Sequence, residues 1–72
     1  MKYQILITED DEKLNHGIRL ALKGEDYFFF QCRTLAEARQ VIRQQQLSLI
    51  LLDVYLPDGS GIDLVRGLRR DQ

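Results

Sequence analysis

The sequence predicts an α/β fold on a small parallel sheet, with the element order β-α-β-α-β-α. Three short apolar or aromatic runs, at residues 4–8, 27–30 and 47–52, are typical of strands. Between and after them, apolar residues recur at helical spacing. Strands that alternate with helices indicate a parallel sheet with right-handed crossovers.

Composition limits the chain to one small domain of 72 residues and 8.4 kDa. Its net charge of −1 argues against a dedicated nucleic-acid binder, which normally carries a basic excess. The single cysteine excludes an internal disulfide and fits a reducing compartment. The apolar runs are too short to span a bilayer, so we expect a cytoplasmic domain without membrane contacts.

The first strand, Gln4–Thr8, ends in three consecutive acidic residues. A helix is predicted to begin at Glu12, because acidic residues favour a helix N-terminus and Asp11 can cap it. Gly24 predicts the end of this helix. The stripe that we expect to pack on the sheet consists of Leu14, Ile18, Ala21 and Leu22.

The aromatic run Tyr27–Phe30 predicts the second strand. Thr34 and Glu37 then form a capping-box pattern, which predicts the start of the second helix. The buried stripe predicted for this helix is Leu35, Ala38, Val41 and Ile42.

The third apolar run, residues 47–52, is followed at once by Asp53. Residues 56–61 read Leu-Pro-Asp-Gly-Ser-Gly, a strong loop signal. Ser60 and Asp63 then resemble a second capping box at the start of the third helix.

Acidic residues therefore follow two of the predicted strands. In an open α/β sheet, ligands bind beyond the carboxyl ends of the strands. If the first and third strands are neighbours, Glu9, Asp10 and Asp53 converge there. Carboxylates at close range repel one another unless a cation is present, and hard oxygen ligands suit Mg²⁺. A carboxylate in such a site can also act as a nucleophile that forms an aspartyl phosphate.

The segments ILITEDD and LILLDVYLPDGSGIDL carry a specific resemblance. They resemble the receiver domain of bacterial two-component response regulators, and most of all receivers that precede a winged-helix DNA-binding output domain. The resemblance implies a flavodoxin-like fold. It also implies that Asp53 is the phosphoacceptor and Asp10 a direct Mg²⁺ ligand. Glu9 then acts largely through water, and the backbone carbonyl of Tyr55 supplies a further ligand.

The family fold has five strands in the order 2-1-3-4-5. We expect residues 1–72 to form a partial receiver with strand order 2-1-3, without the fourth and fifth strands and without an output domain. No residue can be assigned to the switch Ser/Thr or the Lys of those strands. The implied function is to accept a phosphoryl group from a sensor histidine kinase and so control transcription, with DNA contacted only through an output domain. Such a domain is regulatory, with at most autophosphorylation and autodephosphorylation activity.

Two other functions are open. The first is a receiver fragment that does not switch and instead self-associates. Its third strand would be a sheet edge, and residues Leu49–Leu52 could pair with another chain by dimerisation or strand exchange. A Mg²⁺-dependent phosphatase is the weaker alternative. It requires a second aspartate two residues after the nucleophile, where this chain has Tyr55.

Overall fold

The computed structural model describes residues 2–70. The strands and helices alternate as predicted, and the predicted loop at residues 56–61 contributes to a short additional hairpin. The elements are β1 (Tyr3–Thr8), α1 (Glu12–Leu22), β2 (Tyr27–Cys32), α2 (Leu35–Gln44), β3 (Leu49–Leu52), β4 (Tyr55–Leu56), β5 (Gly59–Ser60) and α3 (Gly61–Arg70). Among the described residues, every helix is too short or too polar to cross a membrane.

The main sheet is parallel and has the predicted strand order, β2-β1-β3. Its register aligns the carboxyl ends of the three strands, because Thr8 lies opposite both Cys32 and Leu52. Backbone bonds continue one residue further, from Glu9 N–H to the Cys32 carbonyl (3.0 Å) and from Asp53 N–H to the Thr8 carbonyl (3.1 Å). The residues that follow β1 and β3 therefore emerge side by side.

The core lies between the sheet and the helices α2 and α3. Leu6 of the central strand is fully buried there, together with Leu35 and Ala38 of α2 and Leu64 of α3. Each fully buried leucine contributes about 1.5–3 kcal/mol relative to an exposed one. The predicted stripe of α2 is confirmed, since Val41 and Ile42 pack against this core.

The opposite face of the sheet carries Ile5 and Ile7, whose side chains point away from Leu6 because strand residues alternate. Ile18 and Leu22 of α1 lie beside this face. The predicted stripe of α1 is mostly exposed: Ile18 is half-buried, whereas Leu14, Ala21 and Leu22 are exposed. Of the described helices, α1 is the one on this face, so its apolar residues have few neighbours to pack against. The buried residue of α1 is instead Asn15.

Local hydrogen bonds account for the helix starts. Asp11 caps α1, and its carboxylate accepts bonds from the N–H groups of Lys13 (3.0 Å) and Leu14 (3.1 Å). Thr34 caps α2 by accepting a bond from the Glu37 N–H (3.2 Å), as the capping-box pattern predicts.

Two details of the predicted caps differ in the structure. The Glu37 carboxylate accepts its backbone bond from the Arg33 N–H, one residue before the expected donor. At α3, the Ser60 hydroxyl accepts a bond from the Ile62 N–H (3.2 Å). The Asp63 carboxylate lies 4.0 Å from the Arg66 guanidinium, within the same helix. Only the hydroxyl half of that second capping box is therefore present.

Candidate functional site

Three carboxylates meet at the carboxyl edge of the sheet. Glu9 and Asp10 directly follow β1, and Asp53 directly follows the neighbouring strand β3. One carboxylate oxygen from each residue lies within 4.8 Å of the other two. Glu9 is buried, Asp53 is half-buried and Asp10 is exposed. The predicted convergence of these side chains is therefore observed, because the aligned strand ends bring all three to one place.

The electrostatics of this cluster penalise a buried negative charge. Burial raises the pKa of the Glu9 carboxyl above its ordinary value, and hydrogen bonding to Asp10 and Asp53 and the charge of Asp53 raise it further. A bond from the Asp11 N–H to the Glu9 carboxylate (3.2 Å) acts in the opposite direction but does not cancel the effect of burial. A cation beside these oxygens would relieve the repulsion. An all-oxygen donor set with an exposed member fits Mg²⁺, which favours a few carboxylates and retains several waters.

The cluster opens onto a cleft of about 380 Å³. Glu9 and Asp53 border it, and its apolar wall includes Ile18 of α1 and Leu51 of β3. Asp53, which is half-buried, therefore lies at the border of an open cleft.

Two hydrogen bonds shape the chain immediately after Asp53. The Tyr55 N–H donates to Oδ1 of Asp53 (3.4 Å), while the Tyr55 side chain is 82% exposed. The Gly61 N–H donates to the Val54 carbonyl (2.8 Å). These bonds bring the first residue of α3 close to the backbone of Asp53.

Gly61 has no room for a side chain. A Cβ atom at this position would lie 2.9 Å from Cγ of Leu52 and 3.2 Å from the carbonyl carbon of Asp53, and would overlap the Asp53 carbonyl oxygen. Gly59, in the same loop, has a φ of +145°, a conformation that favours glycine. The two glycines therefore allow the chain to turn back tightly beside the cluster.

Asp58 is a residue near the site that the sequence analysis did not single out. Its carboxylate accepts bonds from the N–H groups of Leu35 (2.8 Å) and Ala36 (3.0 Å), at the start of α2. These two bonds lower the pKa of the Asp58 carboxyl. The loop after Asp53 is thereby attached to the N-terminus of α2. The composition of this loop predicts a turn, but no local sequence signal identifies the start of α2 as the partner of Asp58.

Asn15 is the second residue that the sequence analysis missed. It is a polar side chain only 4% exposed, and its amide group bridges the backbones of β1 and β2 next to the cluster. Its position on the apolar side of an amphipathic helix is the signal that could have revealed it. Of the neighbouring residues, His16 of α1 is exposed and Cys32 of β2 is buried.

Comparison with known proteins gives one consistent family. Residues 5–72 match the response regulator receiver domain. The chain is 36% identical over 66 residues to the KDP operon transcriptional regulatory protein KdpE of Escherichia coli (strain K12). It is 38% identical over 68 residues to the phosphate regulon transcriptional regulatory protein PhoB of Pseudomonas aeruginosa. These alignments cover 92% and 94% of this chain, but 29% and 30% of the two relatives.

Solved structures show the same relationship. The non-phosphorylated HemR receiver domain from Leptospira biflexa superposes with a TM-score of 0.86 at 34% identity, covering 99% of this chain and 57% of that one. A sensor protein from Polaromonas sp. JS666 superposes with a TM-score of 0.88 at 29% identity, covering 100% and 58%. The predicted fold class and family resemblance are confirmed. This chain, which spans less than a third of these curated relatives, belongs to the response regulator receiver domain family.

Proposed function

We propose that Asp53 accepts a phosphoryl group from the phosphorylated histidine of a sensor histidine kinase, in a Mg²⁺-dependent reaction. The observation that carries this proposal is the convergence of three carboxylates within 4.8 Å in a chain of the receiver family. Asp53 is the member that follows β3, and it borders an open cleft.

In the proposed reaction, a carboxylate oxygen of Asp53 attacks the phosphorus atom. A P–O bond forms while the P–N bond to the kinase imidazole breaks, and the electron pair of that bond stays with the imidazole nitrogen. Bound Mg²⁺ would neutralise charge on the transferring phosphoryl oxygens. Asp10 and Asp53 would hold the metal directly and Glu9 through water, with the Tyr55 backbone carbonyl as a further ligand.

The chain's own backbone prepares the nucleophile in this proposal. The Tyr55 N–H holds Oδ1 of Asp53, and the Asp53 N–H is bonded to the Thr8 carbonyl of the neighbouring strand. The first bond restricts the orientation of the carboxylate, and the second fixes the backbone from which it extends. Such preorganisation lowers the entropic cost of reaching an in-line geometry.

The biological role that we propose is regulatory. Receiver domains are regulatory modules, and the two curated relatives described above are named as transcriptional regulatory proteins. We propose that phosphorylation of this chain controls transcription through an output domain in a longer protein, which would make the DNA contacts. The proposed partner of the receiver itself is the kinase.

Intact mass spectrometry after incubation with acetyl phosphate and Mg²⁺ tests the phosphoacceptor proposal. We expect the wild type to gain the mass of one phosphoryl group and Asp53→Asn to gain none. Asp63→Asn is the matched control, because it removes an exposed aspartate of α3 and leaves the cluster intact. An unmodified wild type, or an equal gain in Asp53→Asn, would contradict the proposal.

The sheet edge supports a second candidate function, self-association. Among the described residues, β3 pairs on one side only, with β1, so its other side presents unpaired backbone groups. Leu49 of β3, on this edge, is 46% exposed. Unpaired backbone next to apolar side chains favours pairing with a second copy.

Light scattering coupled to size-exclusion chromatography tests this candidate over a range of protein concentrations. We expect the wild type to form dimers or larger species, and Leu49→Lys to shift the distribution towards monomer because an edge lysine opposes strand pairing. His16→Lys adds the same charge at an exposed position of α1 and serves as the control. A wild type that stays monomeric at all concentrations would exclude self-association.

A further inference from the structure

The side chain of Asn15 is buried in a helix whose other described residues are exposed or half-buried. Its Nδ2 atom donates one hydrogen bond to the Glu9 carbonyl (2.9 Å) and one to the Cys32 carbonyl (2.9 Å). One amide group thus connects the first turns of α1 to the carboxyl ends of β1 and β2. Burying an amide is costly unless it is hydrogen-bonded, and here both donor hydrogens are used.

A third bond determines which way this amide points. The Gln31 Nε2 donates to Oδ1 of Asn15 (2.8 Å). Rotating the Asn15 amide by half a turn would place its oxygen against two carbonyl oxygens and its nitrogen against the Gln31 donor. The three contacts are therefore compatible with a single orientation of the Asn15 side chain.

The carbonyl that Asn15 binds belongs to the peptide group between Glu9 and Asp10. That peptide group is planar, so fixing its oxygen also fixes the direction in which the chain enters Asp10. The Glu9 N–H is held in turn by the Cys32 carbonyl (3.0 Å), the same oxygen that Asn15 binds. Hydrogen bonds therefore fix both the N–H and the carbonyl group of Glu9.

The position of Asp10 is less constrained than that of Glu9. Asp10 is exposed and lies two residues after Thr8, the last residue of β1, outside the ladder of the sheet. The orientation of its carboxylate depends on the peptide plane before it. Residues that orient metal ligands without touching the metal typically change metal affinity 10–100-fold when they are mutated.

We propose that Asn15 is a positioning residue for the acidic cluster, holding the Glu9–Asp10 peptide group in the orientation that Mg²⁺ binding requires. This inference rests on the proposed function, because it assumes that the cluster binds Mg²⁺. Asn15 acts through the backbone of the ligands and does not contact the reacting atoms. Gln31 supports it by selecting the amide orientation.

The test is a titration of the full chain with Mg²⁺ alone, followed by NMR through the amide resonances of Asp10 and Asp53, with urea unfolding measured for each variant. Asn15→Leu keeps the approximate shape of the side chain and removes both donors. Gln31→Met removes the support for the Asn15 orientation at an exposed position and is the variant to use if Asn15→Leu does not fold. Ile42→Ala, in the core on the other face of the sheet, is the control for lost stability.

We expect Asn15→Leu to weaken Mg²⁺ binding by about 10-fold or more, and Gln31→Met to weaken it by a smaller factor. The Asp10 amide resonance of the metal-free protein should also shift in both variants. Ile42→Ala should lower the urea midpoint without changing the affinity of the folded protein or the Asp10 resonance. A role in stability alone would give the same pattern for all three variants.

The possible failures are distinguishable. Wild-type affinity in both Asn15→Leu and Gln31→Met would overturn the positioning role and leave the proposed Mg²⁺ site intact. A wild type whose Asp10 and Asp53 resonances do not respond to Mg²⁺ would overturn the metal site, and the positioning role with it.

Discussion

Replacing Gly61 by alanine should destabilise the protein, although alanine is normally the better helix residue. The new Cβ atom would lie 2.9 Å from Cγ of Leu52 and would overlap the carbonyl oxygen of Asp53. Carbon atoms in favourable contact are about 3.5–4.0 Å apart, so α3 would have to move away from β3 by more than about 0.6 Å. Forcing an extra carbon into a packed site typically costs about 1–3 kcal/mol.

Gly67→Ala provides a matched control in the same helix. Among the described residues, no atom that could obstruct a new Cβ lies within 4 Å of that position. This substitution should therefore stabilise the protein by about 0.4–1 kcal/mol, because alanine loses less backbone entropy on folding than glycine. The same chemical change is thus expected to have opposite signs at two positions of α3.

Urea unfolding monitored by circular dichroism measures both free energies of unfolding. The difference between the two variants should be about 1–3 kcal/mol, the cost of the clash, because the entropy gain applies to both substitutions. If Gly61→Ala were as stable as Gly67→Ala, the close approach of α3 to the Asp53 backbone would be incorrect. Acetyl phosphate labelling adds a second readout, and we expect Gly61→Ala to label more slowly because Asp53 would be displaced.

Three other substitutions test the electrostatics and the caps. Because folding raises the pKa of Glu9, this residue favours the folded state at low pH, where its carboxyl is protonated. This contribution to the free energy of unfolding is lost as the pH rises through the folded-state pKa. Glu9→Gln should therefore be more stable than the wild type at neutral pH in metal-free buffer, and a lower urea midpoint would contradict this. The lowered pKa of Asp58 acts in the opposite sense. Its ionised carboxylate stabilises the folded protein above the ordinary pKa of 3.8, and this stabilisation is lost as the pH falls through the lower pKa of the folded state. Asp58→Asn should flatten the acid side of the stability curve measured by thermal unfolding, and an unchanged curve would show that the contact with α2 is unimportant. Asp11→Ala should cost about 0.5–2 kcal/mol through loss of the α1 cap, whereas a change below that range in urea unfolding would argue against capping.

The acidic cluster was predictable because it follows from a general rule about parallel sheets. The apolar runs predict buried strands, and the acids directly after the first and third runs must then lie at the same edge. Asp11 and Thr34 were predictable as helix caps for a similar reason, because their hydrogen bonds join residues within one turn.

The residues that were missed depend on contacts between distant parts of the chain. Leu14 was expected to be buried because its spacing is helical, but burial also requires a covering element on the same face. Asn15 was overlooked because its partners, the carbonyls of Glu9 and Cys32, meet only after the sheet forms. The contact of Asp58 with the N-terminus of α2 likewise depends on tertiary structure.

The pairing of β1 with β3 also has a kinetic consequence. Ile5 lies opposite Leu49, so a long segment of chain, including α1, β2 and α2, must be organised before these strands meet. Closing such a long loop is entropically costly, and sequence-distant contacts slow folding. Glu9 and Asp53 come together only through this pairing. A cation that binds the cluster would therefore bind the folded chain and not its unfolded or half-formed states, and would draw the population towards the native structure by mass action.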